Sequence, residues 1–185
     1  MNYRIFALSP HLRTVPIFLF LPGTLFLTTG CPFPLSNQTH TPAVPTTIPM
    51  IANTASVTEL EQLVHQKINQ HRASKNLPPL RLDPDIAIQS RLHSQNMANG
   101  KVELSHHGFQ DRTNALKNRI NLSGIAENVG YNMGYREPAS QVVQGWLDSP
   151  GHRQNIEGNY DLTGIGVAKN AKGEYYFTQM FVRRR

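Results

Sequence analysis

Cysteine is almost absent from the sequence. Cys31 is the only one among 185 residues, so no disulfide can form within the chain. Long apolar runs are also lacking, because the run from Val15 to Leu27 has 13 residues and a helix needs about 20 to span a bilayer. These absences exclude a disulfide framework and make this run too short for a membrane-spanning helix. The stability of the protein therefore has to come from a hydrophobic core.

Acidic residues are few as well, with 12 of them against 18 basic residues and a formal net charge of +6. This excess does not form the basic stripe that nucleic-acid binding requires. Arg4 and Arg13 lie in the N-terminal leader and residues 183–185 are a run of arginines; without these five residues the net charge is about +1. We therefore expect no nucleic-acid partner. The terminal arginines are interpreted as a solvated tail, with anionic lipid or cell wall as the alternative partner.

Residues 1–31 have the layout of an export signal. A basic start without acidic residues precedes the short apolar run, and residues 28–30 (Thr-Thr-Gly) follow it. A cysteine after glycine at this point resembles the lipobox of bacterial lipoproteins, although Leu27 stands four residues before Cys31 instead of three. The resemblance implies that Cys31 is acylated and anchors the chain in a membrane. The alternative is a soluble secreted protein.

Residues 32–56 are predicted to be an extended linker. Five prolines alternate there with threonine, serine and asparagine, and no apolar periodicity is evident. Such a composition buries too little apolar surface to offset the entropy lost on ordering. Residues 57–185 are predicted to form one domain, which is long enough to bury a core.

Three helices are predicted in this domain from their start signals. The first begins with the capping box Ser56-x-x-Glu59, the second with the N-cap Asp83 before Pro84, and the third near Pro138. Apolar residues recur on one face of each helix. These faces contain Leu60, Val64 and Ile68; Ile86 and Met97; Val142, Val143 and Trp146.

The C-terminal part has the pattern of an antiparallel hairpin. Residues 163–169 (TGIGVAK) and 174–182 (EYYFTQMFV) are apolar and aromatic, and residues 170–173 (NAKG) separate them. Helices followed by a hairpin predict a layered α+β domain.

Four segments combine polar residues with glycine in the manner of a cleft rim, where backbone comes close and side chains point inward. They are residues 104–109 (LSHHGF), 126–132 (AENVGYN), 146–156 (WLDSPGHRQNI) and 164–168 (GIGVA), the last followed by YYFTQMF. In this order they resemble the bacterial, SCP-like branch of the CAP superfamily, which includes cysteine-rich secretory proteins, insect venom antigens and plant pathogenesis-related proteins. The resemblance covers residues 57–182. It implies an α–β–α sandwich with a central antiparallel sheet.

The resemblance also implies a cleft with two histidines and acidic residues, which in some members holds a divalent metal such as zinc. By motif register these site residues are His106, Glu127 and His152, with His106 and His152 as the metal ligands. Ala126 replaces the usual glycine before the glutamate, and Ser149 stands where eukaryotic members carry a further acid. The set is therefore incomplete by the eukaryotic pattern.

The residue types permit chemistry at this site. Two imidazoles can hold Zn²⁺, and Glu127 could ligate it, orient a water molecule or act as a base. No compact metal motif such as H-E-x-x-H is present, however. The alternative is a structural network in which His106 and His152 bond to Glu127 and to backbone. His107 is expected to face outward and His93 to be satisfied in the interior.

Three functions fit the sequence. The first is an exported module, tethered through Cys31 in the cell envelope, that binds a small apolar molecule or an envelope component. The resemblance to the CAP superfamily implies such binding. The second is a metal-assisted hydrolase of peptide or cell-wall bonds, for which no serine or cysteine nucleophile stands at a recognisable spacing. The third is a structural or defensive envelope protein without chemistry, which the serine at position 149 favours over the enzyme.

Overall fold

The computed structural model describes residues 56–185. The predicted export signal (1–31) and the predicted linker, apart from Ser56, lie outside the described residues, so these domain boundaries stay predictions. Across the described range, no helix has the length and apolar character needed to cross a bilayer. The elements of this range are α1 (Val57–Ser74), β1 (Arg81–Leu82), α2 (Pro84–Ala98), α3 (Phe109–Lys117), β2 (Leu122–Asn132), α4 (Pro138–Asp148), α5 (Pro150–Ile156), β3 (Leu162–Lys169) and β4 (Tyr175–Arg184).

The three predicted helix starts are confirmed, two of them by side-chain caps and the third by α4, which begins at Pro138. The side chain of Ser56 accepts a hydrogen bond from the amide of Glu59 at 3.2 Å, and the Glu59 carboxylate accepts one from the Ser56 amide at 2.7 Å. Asp83 accepts from the amide of Ile86 at 3.1 Å at the start of α2. α1 ends before Asn76, whose φ of 57° lies in the left-handed region that asparagine tolerates.

The strands form one sheet in the order β1-β3-β4-β2. The predicted hairpin is confirmed as β3 and β4, and β2 pairs antiparallel with β4 on its other side. The two-residue β1 runs parallel to β3 at the far edge. The three long strands are thus antiparallel, as the resemblance implied.

Helices cover both faces of the sheet and complete the expected α–β–α sandwich. One buried cluster lies on the side of α2 and α3 and contains Ile86, Leu116, Leu162, Met180 and Val182. A larger cluster lies on the side of α1, α4 and α5 and includes Leu60, Ile68, Trp146, Phe177 and Phe181. Both clusters lie within residues 60–182, so the described domain contains its own core.

Helix α2 lies unusually close to strand β3. A Cβ atom at Gly164 or Gly166 would approach the backbone nitrogen of Ala87 or Arg91 to 2.2 Å, so only glycine fits at these two positions. Ser90 on α2 donates to the carbonyl oxygen of Gly164 at 3.0 Å. This close contact holds α2, and so the start of the loop that follows it, against the sheet.

Several elements were not predicted from the sequence. Residues 126–132, interpreted as a cleft rim, lie in strand β2, and the segment after Gly108 forms α3. The predicted break at residues 149–151 is a turn from one helix into another, because Ser149 ends α4 and Pro150 begins α5. The terminal arginines are exposed, as expected for a solvated segment, but Arg183 and Arg184 belong to a strand. β4 continues to Arg184, which pairs with Leu122 of β2.

Candidate functional site

The loop between α2 and α3 carries His106 toward strand β2. Its turn closes where the amide of Phe109 donates to the carbonyl oxygen of His106 at 3.0 Å, with Gly108 at a φ of 73°. The Nδ1 atom of His106 then lies 2.9 Å from Oε1 of Glu127. The His106 side chain keeps 12% of its surface exposed, whereas that of Glu127 keeps none.

Glu127 is held by an arginine that the sequence analysis did not assign to the site. Arg112, on α3, donates from Nε to Oε2 of Glu127 at 2.9 Å and from Nη2 to Oε1 at 2.8 Å. Its Nη1 also donates to the carbonyl oxygen of His107 at 2.8 Å. This fork-like pairing of guanidinium and carboxylate is the geometry in which arginine binds a carboxylate most strongly. The pair is buried, with Arg112 8% and Glu127 1% exposed.

His152 reaches the same region from α5, on the other face of the sheet. It is 4% exposed, and its Nδ1 lies 2.9 Å from the hydroxyl oxygen of Ser149. Its carbonyl oxygen accepts from Nδ2 of Asn128 at 3.1 Å, and Asn128 in turn accepts from Asn155 at 2.9 Å. Burial, and then the nearby His106, lower the pKa of His152 from 6.5 to about 4. His152 is therefore neutral at neutral pH.

The predicted site residues flank the edge strand β2, with His106 and Glu127 on one face and His152 on the other. Glu127 contacts His106 directly, and His152 lies near enough to His106 for its charge to affect the His152 pKa. His107 is exposed, as predicted. His93 is buried with its Nε2 2.8 Å from the carbonyl oxygen of Ser105, in agreement with the satisfied interior role.

Two members of the network were missed or misjudged. Arg112 carries no recognisable signal unless α3 is known, because only that helix turns it back toward β2. In the sequence analysis, Ser149 counts only as the replacement of an acid found in eukaryotic members. In the structure, its hydroxyl is the hydrogen-bond partner of His152.

The contacts of Glu127 do not fit a zinc ligand. Both carboxylate oxygens already accept hydrogen bonds, and the guanidinium beside them would repel a divalent cation. Within residues 56–185, no group of three or more His, Cys, Asp or Glu side chains is arranged to hold a metal ion. Zinc held by His106 and His152 stays a prediction.

A separate groove lies on the same face of the sheet as Glu127, beyond the end of α2. It has a volume of about 540 Å³, and its apolar lining includes Met97, Val102, Leu104, Tyr131 and Tyr176. None of the three predicted site residues lines this groove. The predicted cleft and the described groove are therefore different places.

Two tyrosines and a carboxylate define one wall of the groove. The rings of Tyr131 and Tyr176 meet edge to face with their centroids 5.3 Å apart. Their hydroxyl groups donate to Glu174 at 3.0 Å and 3.3 Å, and Asn170 donates to the same carboxylate. Hydrogen bonding from Asn170 lowers the pKa of Glu174, so this wall carries a fixed negative charge.

Comparison with known proteins matches this fold to one family. The family model described as "CAP: Cysteine-rich secretory protein family" matches residues 65–181. The chain is 30% identical over 131 residues to the uncharacterized protein YkwD of Bacillus subtilis. This alignment covers 69% of the chain and 49% of YkwD, so the chain spans about half the length of that relative.

Solved structures agree with this match. An extracellular protein of Bacillus anthracis that contains an SCP domain has a TM-score of 0.57 at 26% identity, over 69% of this chain and 41% of that one. An outer surface protein of Borrelia burgdorferi has a TM-score of 0.60 at 18% identity, over 71% of this chain and 97% of that one. The second likeness, at this identity, shows the fold alone.

The low pKa of His152 predicts a loss of stability in acid. The unfolded chain takes up the proton near pH 6.5 and the folded protein only near pH 4, so stability falls as the pH drops between these values. We expect this histidine to contribute about 3 kcal/mol of that loss. Urea unfolding in the presence of a chelator should show a shallower pH dependence for His152→Gln than for the parent. An unchanged dependence would contradict the buried neutral imidazole, and exposed His107→Gln is the matched control.

Proposed function

Because the chain belongs to the bacterial branch of the CAP superfamily, we propose that it is an exported binding module for a small apolar or envelope ligand. In this proposal the buried network around Glu127 holds loops in place and does no hydrolysis. The apolar groove beside the network is the ligand site. The proposal rests on one observation: Arg112 and His106 form hydrogen bonds with the carboxylate of Glu127.

A hydrolytic role would require Glu127 to act on water or on a metal. A general base has to direct a lone pair at the proton that it removes, and a ligand has to direct one at its metal. Here Arg112 binds both carboxylate oxygens, and His106 shares one of them. Both oxygens of the carboxylate already accept hydrogen bonds from within the protein. This supports a structural role for Glu127.

The network and the groove share one loop. Residues 100–104 line the groove, and the next residue, Ser105, accepts a hydrogen bond from buried His93 through its carbonyl oxygen. His106 and the carbonyl of His107 then bind to Glu127 and Arg112. Loosening the network would therefore release one wall of the groove. Small-molecule sites typically have mainly apolar walls with a small number of polar groups, which are here Lys101, Glu103 and Glu174.

Export and tethering are part of the same proposal. The names of the two solved relatives describe an extracellular and an outer-surface protein, and residues 1–31 have the pattern of an export signal. Cys31 lies outside the described residues, so the anchor rests on the sequence pattern alone.

A carboxylate introduced among the apolar residues of the groove should weaken apolar binding. We expect Val102→Asp to weaken binding of the probe anilinonaphthalene sulfonate by roughly tenfold or more, because burying one apolar side chain contributes about 1.5–3 kcal/mol. Ile88→Asp, which changes an exposed apolar residue outside the groove, is the matched control. Fluorescence titration measures both. Equal loss in the two variants would remove the groove as the ligand site.

Acylation predicts retention in the membrane. The parent chain should sediment with membranes after cell lysis, and Cys31→Ser should move it to the soluble fraction, because the acyl chains supply the anchoring energy. Immunoblots of the two fractions measure this. If the parent and Cys31→Ser appear in the soluble fraction to the same extent, the protein is secreted without a lipid anchor.

The second candidate function is the metal-assisted hydrolase. It is favoured by neutral His152 and by partly exposed His106, since a neutral imidazole is the form that ligates metal or accepts a proton. We expect no cleavage of peptide or murein substrates, and only weak zinc binding that His106→Ala and His152→Ala each reduce in calorimetry. Chelator-sensitive cleavage that disappears in Glu127→Gln would overturn the binding proposal. If the protein neither cleaves these substrates nor binds the fluorescent probe, the remaining hypothesis is a structural envelope protein without chemistry.

A further inference from the structure

One end of the sheet concentrates basic side chains. Four segments meet there: residues 81–82, 117–122, 161–162 and 182–185. Together they carry six basic residues and one acid, Asp161. All six basic residues are exposed; they are Arg81, Lys117, Arg119, Arg183, Arg184 and Arg185. We call this region the basic end.

The backbone of the basic end is fixed. The amide of Arg185 donates to the carbonyl oxygen of Asn121 at 2.9 Å, and the hydroxyl of Ser123 bonds to the carbonyl oxygens of Arg183 and Arg184. Asp161 accepts from the amide and from the guanidinium of Arg184. Arg183 and Arg184 therefore project from an ordered strand, which lowers the entropy lost when they engage a partner.

The opposite end of the sheet does not share this charge. Residues 132–137 and 169–174, which follow β2 and join β3 to β4, carry three basic and two acidic residues. The groove with Tyr131, Tyr176 and Glu174 lies at that end. Charge is thus distributed along the strands from nearly balanced to strongly positive, and this asymmetry would orient the domain in the field of an anionic surface.

We propose that the basic end docks the domain onto a bilayer that contains anionic phospholipid. Exposed guanidinium groups on a fixed backbone are suited to lipid phosphates, which arginine binds with paired donors. In this orientation the groove at the other end of the sheet faces away from the bilayer. The inference does not depend on what the groove binds.

A bilayer is favoured over a nucleic acid or a soluble polymer by the rest of the chain. The basic residues surround one end of a sheet and do not form a stripe that could follow a phosphate backbone. The proposed acyl group on Cys31 would also hold the domain near a membrane and raise the local concentration of lipid phosphate. Each basic side chain near an anionic bilayer contributes about a fivefold gain in binding.

The test uses residues 32–185, which contain both buried clusters, with vesicles of equal parts phosphatidylglycerol and phosphatidylcholine. The parent should co-sediment with these vesicles, less so at high salt, and should not bind pure phosphatidylcholine. The triple variant Arg119→Gln, Arg183→Gln, Arg185→Gln should bind about a hundredfold more weakly. The matched control removes the same charge at the opposite end, with Arg136→Gln, Lys169→Gln and Lys172→Gln, and should bind nearly as the parent does.

Four outcomes would overturn the proposal. Equal binding by the triple variant and the parent would show that the basic end is not the contact surface, and so would equal loss in the control. Binding to pure phosphatidylcholine would show that the attraction between basic side chains and anionic lipid is not the cause of binding. Tighter binding to soluble polyphosphate than to vesicles would assign the surface to a polymer. Binding of anilinonaphthalene sulfonate should be the same in the triple variant and the parent, so a failure here is distinguishable from a failure of the groove.

Discussion

The buried pair of Arg112 and Glu127 is the constraint on which the arrangement of the site depends. Removing one partner of such a pair costs about 3–5 kcal/mol, because the other charge stays buried without compensation. Strand β2 can therefore carry a carboxylate in the interior only if α3 presents its arginine there. That requirement fixes the turn at Gly108, the start of α3 and the direction of His106. The loop that walls the groove is held as a consequence.

The same pair decides which chemistry the site can support. Two imidazoles and a carboxylate would make a metal or acid–base site if the carboxylate were open. With a guanidinium on the carboxylate and a hydroxyl on His152, each group already has a partner within the protein. A network of this kind rigidifies what surrounds it. We accordingly propose the apolar groove nearby for ligand binding and the far end of the sheet for contact with a membrane.

Local signals in the sequence predicted the elements whose stability is local. The capping box at Ser56, the N-cap at Asp83 and the turn at residues 170–173 all act over a few residues, and each is confirmed. Strand β2 has no such signal. Glu127 and Asn128 disfavour a strand by propensity, and they are accommodated only because residues of α3 and α5 bond to them. The short helices α3 and α5 likewise owe their place to these contacts.

The sequence by itself determined the family and the α+β class, because motif order and short-range periodicity are properties of the chain, and it named His106, Glu127 and His152 as candidate site residues. Only the tertiary structure decided that Arg112 binds Glu127, that Ser149 serves His152, and that the groove is separate from both. It also gathered Arg81, Arg119 and the last three residues at one end of the sheet. The physical reason is that charge pairing and burial depend on distance in space, which strand order sets and spacing along the chain does not.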